Sequence, residues 1–176
     1  EIADPEEMIK DDVTSDIITI TAAANGGSVD TKNVINDDLK VSWEGGDEIS
    51  VFYGNVVTGS RFTTFSSGEV AEFTGSINTI VGGGEGMTDD TYLWGVYPYS
   101  ESTKYDGKYI TLTLPHEQRA RAGSFASGLF PQIAKSQNFF MSFYNLCCCI
   151  RFKVSNPDIV KVTLFGNNGE ELAGQA

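Results

Sequence analysis

Hydrophobic and polar residues alternate with a period of two along most of this chain, and runs of Gly, Asn, Asp and Ser interrupt the alternation. The chain is organised around the stretch from Val41 to Phe52. Val41 and Trp43 lie two apart, so they share one face of a strand. Gly45 and Gly46 supply the positive φ that a tight turn demands. Asp47 is placed to hold the amides of that turn. Ile49 and Val51 then alternate with Ser50 and Phe52. The pattern predicts two strands joined by a tight turn, with Trp43 buried as a core anchor.

The same rule marks further strands. Ile17 to Ala22 sets Ile18 and Ile20 against Thr19 and Thr21. Arg61–Phe65 and Glu69–Phe73 form a hairpin pattern around Ser66-Ser67-Gly68. Tyr92 to Tyr99 is a strongly apolar strand closed by Pro98, which donates no ladder bond. Lys108 to Pro115 alternates cleanly through Ile110, Leu112 and Leu114. Leu129 to Ala134 is a short strand, and Phe139 to Val154 is the longest apolar run, alternating at Ile150, Phe152 and Val154. Ile159 to Phe165 turns Val160, Val162 and Leu164 inward, and Glu171 to Ala176 opens another strand. No segment holds a helical period beyond a turn or two. Roughly ten short strands with Gly- and Asn-rich turns predict an all-β sandwich or barrel.

Residues 1–16 are acidic, with Glu6-Glu7 and Asp11-Asp12, and predict a flexible leader. The start at Glu1, without Met, suggests a processed product or a trimmed chain. No apolar run is long enough to span a bilayer as a helix. Twenty-four acidic against twelve basic residues give a net charge of −12, which repels nucleic acid and anionic membranes and favours solubility.

Candidate chemistry is thin. His116 is the single histidine and stands in no motif. Ser124 lacks the flanking glycines of a nucleophile elbow. The Gly82–Gly86 loop lacks the Gly-Lys-Ser/Thr that cradles phosphate, and Asp89-Asp90 lacks EF-hand spacing. Cys147, Cys148 and Cys149 are consecutive, with no ligand set and no fourth cysteine; as small strand residues in an apolar run they are expected to be buried and inert. Hence no catalytic residue, cofactor or metal site is predicted. Tyr97, Tyr99 and Tyr105 are candidates for stacking on sugars where exposed, Tyr97 being the one expected in the core. The Ile17–Ala22 strand, flanked by the leader and a polar loop, is the element easiest to detach, and Ile17, Ile18 and Ile20 are its candidate assembly residues.

Several stretches in order resemble the fimbrillin-like proteins, the major and minor fimbria subunits of anaerobic Gram-negative bacteria. They are Val41-Ser-Trp43 with Gly46-Asp47-Glu-Ile49; Phe73-Thr-Gly75; Tyr97-Pro98-Tyr99 with Leu114-Pro115 and Gln118; Phe143-Tyr-Asn145-Leu146-Cys147 with Ile150-Arg-Phe152; and Val162-Thr-Leu164 with Gly169-Glu170 and Leu172-Ala173-Gly174. The set spans about residues 39 to 176. The resemblance implies a two-sheet antiparallel, Greek-key, transthyretin-like sandwich over 17–176, with a second β domain after 176. It implies export as a lipoprotein precursor to the outer membrane, attached there only through a lipid anchor. It also implies polymerisation with like or different fimbrial subunits by strand exchange, and host or bacterial surface ligands. Family members are cleaved by a trypsin-like protease in an N-terminal loop; the matching loop, Asn25 to Asp38, holds Lys32 and no arginine, so Lys32 is the candidate protease site. The alternative expectation is a surface-anchored module that binds glycan or protein through Tyr99 and Tyr105.

Overall fold

In the computed structural model, residues 17–24, 41–54, 56–77, 92–119, 121–122, 124–126, 128–148 and 150–176 are described. Eleven strands and no helix occur among them. Seven close into a barrel: β1 (Ile17–Ala24), β2 (Glu48–Tyr53), β3 (Ser60–Thr64), β4 (Val70–Ser76), β5 (Leu93–Tyr97), β9 (Gln132–Ser136) and β10 (Phe140–Asn145). The order around the barrel is β1-β10-β9-β5-β2-β3-β4, and β4 pairs back onto β1. Every pairing is antiparallel except β1 with β10. The all-β class follows from the alternation. The walls join as one closed sheet where two separate sheets were expected. Closure leaves no long edge strand in the wall.

The alternation points Ile20, Ala22 and Ala24 of β1, Ile49 and Val51 of β2, Phe62 of β3 and Phe73 of β4 inward. Leu93 and Tyr97 of β5, Ala134 of β9, and Met141 and Phe143 of β10 complete the core. Trp43 stands at its centre and is wholly buried. Its ring meets Phe73, Tyr97 and Phe143 edge-on, with centroids 5.0, 5.6 and 5.2 Å away. Its Nε1 donates to the Ala22 carbonyl at 2.9 Å. One indole thus ties together strands from three parts of the wall and caps a β1 carbonyl.

The turn at Gly45-Gly46 forms as its residues demand. Gly46 has φ of 98°, and the Glu44 amide donates to Asp47 Oδ2 at 2.8 Å. Its two arms, however, do not pair with each other. Trp43 exchanges backbone bonds with Gly68 in the β3–β4 loop, whereas β2 pairs with β3 and β5. Trp43 is thus held by its backbone at Gly68 and by its indole at the Ala22 carbonyl. Tyr97 donates its hydroxyl to Asp47 Oδ1 at 3.1 Å. Burial, together with the nearby Asp47 charge, pushes the Tyr97 phenol far above its ordinary range, so it stays protonated and donating.

Outside the barrel lies a second, smaller core. Ser50 and Phe52 point outward from β2, yet both are fully buried. Gly59 lies against both side chains, the Ser100 amide donates to Ser50 Oγ at 3.4 Å, and Tyr105 of a two-stranded hairpin, β6 (Lys104–Tyr105) with β7 (Ile110–Thr111), lies 6.1 Å from the Phe52 ring. The predicted strand Lys108–Pro115 is split between β7 and β8 (Thr113–Leu114), and β8 pairs instead with β11 (Gly174–Gln175). The strands expected over Ile150–Val154 and Ile159–Phe165 form no ladder with any described residue. The Asn156–Ile159 turn between them does form. Their alternating side chains lie exposed, Val160 to 95%. Alternation supplies a face for burial but no partner, and pairing depends on an edge that local sequence does not specify.

Candidate functional site

On the outer face of β5 and β9, beneath the β6–β7 hairpin, opens an aromatic groove of about 220 Å³. The pleat puts Trp94 of β5 and Ile133 of β9 on that face, and the ladder brings Trp94 opposite Lys135 and Val96 opposite Ile133. Tyr105, Lys108 and Tyr109 from the hairpin and Leu146 beyond β10 form the other walls. The Tyr105 ring lies 6.3 Å from that of Trp94.

The hairpin turn fixes these walls. Asp106 Oδ1 accepts from the amides of Lys108 and Tyr109 at 2.8 and 2.6 Å. These bonds, Tyr109's the stronger influence, hold the Asp106 carboxyl below its usual range. Gly107 takes φ of 92°, and its carbonyl accepts the Tyr105 hydroxyl at 3.0 Å. Residues 108 and 109 are thereby set by the turn rather than by packing alone. The Lys108 ammonium lies 4.7 Å from the Tyr109 ring centroid. Lys135 stands 3.9 Å over Tyr92 and 4.9 Å over Trp94. Each is a cation–π contact. The lining holds a cation, phenols and apolar surface, and no nucleophile paired with a base. Such groups can make stacking and charge contacts.

A second feature is the half-open edge of β1. On one side, β1 pairs with β4 along Ile17 to Ala23. On the other, β10 pairs only with Thr21 to Ala24. Among the described residues, nothing bonds the β10-side edge of Ile17 to Ile20. Ile17 is 80% exposed, Ile18 is half-buried and Ile20 faces the core.

The residues singled out from sequence fall in separate places. Tyr97 is core. Tyr99 lies under the Arg61 guanidinium, 4.5 Å from its ring centroid, away from the groove. Tyr105 alone of the three tyrosines lines the groove. Lys32 and Cys149 lie outside the described residues. His116 is exposed. Among the described residues no group of His, Cys, Asp and Glu stands where it could hold a metal ion.

Cys147 is half-buried and Cys148 exposed, against the expectation of burial. The β10 strand ends at Asn145, and one further backbone bond, from the Leu146 amide to the Pro131 carbonyl, precedes the cysteines. A thiol reagent at neutral pH is therefore expected to label Cys148 in the folded protein. Labelling seen only after unfolding would contradict this placement.

Trp94, Lys108, Tyr109 and Lys135 went unremarked in the sequence. The alternation of Tyr92 and Trp94 against Leu93 and Gly95 carries part of the signal; the Trp94–Lys135 neighbourhood arises only from the β5–β9 register. No protein-family model, curated protein or solved structure matches the chain.

Proposed function

We propose that the chain is a non-enzymatic structural or adhesive subunit of a bacterial cell-surface fimbria. In this reading it is exported as a lipoprotein precursor to the outer membrane and joins like or different subunits by exchange of the β1 strand. The Greek-key, transthyretin-like sandwich belongs to the same reading, with opposite walls of the barrel taken as its two sheets. The half-open β1 edge carries the proposal. Ile17, Ile18 and Ile20 lie where β1 has one partner rather than two among the described residues, so there this half is held by a single ladder. A strand with one ladder opens at lower free energy than one held on both sides, and the slot it leaves suits a strand from another subunit. The ordered motif set from Val41 to Gly174 lends further support.

The test is cleavage by trypsin at Lys32, followed by size-exclusion chromatography with light scattering. The expected result is conversion of monomer to a ladder of oligomers in which β1 of one chain fills the slot of the next. A cut protein that keeps β1 and stays monomeric at high concentration would refute exchange through this element.

The outer aromatic groove supports a second role, that of a surface module that binds a glycan or protein. The two roles are compatible, because the groove lies on β5 and β9 and the exchange edge on β1.

A further inference from the structure

The geometry points to an acidic sugar as the ligand of the aromatic groove: one pyranose bearing a carboxylate, of the uronic- or sialic-acid type, at a glycan terminus. The inference rests on the binding-module reading and names its ligand.

Size sets the first limit. About 220 Å³ falls below the roughly 300–1,000 Å³ of sites for drug-sized ligands, so the groove itself matches a single ring. The walls set the second. Trp94, Tyr105 and Tyr109 offer planar apolar faces with few rotatable bonds, so little freedom is lost on contact. A pyranose presents a C–H face to such rings and a rim of hydroxyls to polar groups. The Tyr105 hydroxyl donates to Gly107 and keeps lone pairs as an acceptor. The Tyr109 hydroxyl has no partner among the described residues and remains a donor for ligand oxygens.

Charge narrows the class. The chain carries twice as many acidic as basic residues, yet Lys108 lines this groove and Lys135 stacks on Trp94, one of its walls. The ion pairs among the described residues use Arg61, Arg121 and Lys161. Lys108 and Lys135 instead rest on aromatic faces with no described carboxylate in ion-pair range. Asp106 shares the turn with Lys108, its Oδ1 accepting from the two turn amides, and the two side chains form no ion pair. A ligand carboxylate would thus give Lys108 the partner the protein withholds, in a charge-assisted contact. An extended peptide suits the groove less well. Its floor strands, β5 and β9, are bonded on both sides and offer no edge for backbone pairing.

The test uses the whole chain labelled with nitrogen-15, and the two tryptophan indole N–H signals report from within one sample. Trp94 lines the groove and Trp43 is sealed in the core. Glucuronate, a sialic acid, glucose and a short acidic peptide are each titrated. Both acidic sugars are expected to shift the Trp94 signal saturably, to leave Trp43 unmoved, and to bind at least tenfold more tightly than glucose. Lys108→Gln, on the exposed hairpin, is expected to abolish that tenfold preference. Tyr109→Ala is expected to weaken binding at least tenfold, with the unchanged Trp43 signal showing that the fold persists. Equal binding of glucose, an unaffected Lys108→Gln, or tighter binding of the peptide would overturn the acidic-sugar assignment and leave the binding-module reading standing. No shift of Trp94 with any of the four would overturn both.

Discussion

Trp43→Ala is expected to destabilise the protein by about 3–5 kcal/mol, the range for deleting a large aromatic from a packed core. Three features combine at this residue. Its side chain is wholly buried, so truncation leaves a cavity that the rigid ladders around it cannot fill. It loses edge-on contacts to Phe73, Tyr97 and Phe143, each worth roughly 0.5–1.5 kcal/mol beyond burial. It also deprives the Ala22 carbonyl of a donor, and a typical hydrogen bond contributes about 1 kcal/mol. Domains of this kind are stable by only about 5–15 kcal/mol, so the variant is expected to be partly unfolded on mild warming. Denaturant titration followed by far-ultraviolet circular dichroism checks this. Trp43→Phe keeps a ring but loses the indole donor, so it is expected to fall between wild type and alanine. A loss under about 1 kcal/mol for Trp43→Ala would place the indole at the periphery of the barrel.

Trp43 also illustrates what could be read from the sequence. Its burial follows from an aromatic two residues after Val41 beside a Gly-Gly turn, which is local information. Its partner does not: the indole and backbone bond to Ala22 and Gly68, one on each side along the chain and both beyond the reach of a turn rule. The strands β1, β2, β3 and β4 show as alternation, since burying one face leaves that mark on a stave, and β5 and β10 show as apolar runs. Closure was not, because a sandwich and a barrel have the same alternation and differ only in which strands meet at the ends. Here the deciding pair is β1 with both β4 and β10.

The site was less legible than the fold for the same reason. Tyr105 was singled out as one of three tyrosines, but nothing local separates it from Tyr99. The difference is that Tyr105 sits on a hairpin folded over Phe52 and Trp94, a contact between distant segments. The reverse error occurred after Asn145. Val160, Val162 and Leu164 carry a clean strand pattern, and the pattern alone could not supply the sheet edge that such a strand requires.

Gly75→Ala is expected to destabilise the protein by about 1–3 kcal/mol, the range for overpacking a tight core. The usual expectation has the opposite sign, since glycine within a strand is roughly 0.5–1 kcal/mol worse than alanine. Local space reverses it. Gly75 lies on the inward face of β4, opposite Phe62 of β3 and Ile18 of β1. A methyl built there would come within 2.5 Å of the Arg61 carbonyl oxygen and 2.7 Å of the Phe62 ring. The ring belongs to a fully buried residue, and the carbonyl belongs to a strand paired with β2 on its other side through Arg61 and Ser50. Neither can withdraw without disturbing a ladder, so β4 must shift. The shift falls where β1 has β4 as its single partner, at Ile17 to Ile20. Amide exchange is therefore expected to quicken at Ile18 and Ile20, whose N–H groups face β4, well before it does at Ala22 and Ala24, in the half that β10 also holds. Equal quickening along all of β1 would mean that the strand opens as one unit, leaving its first half no weaker than the rest and removing the local opening on which strand exchange depends.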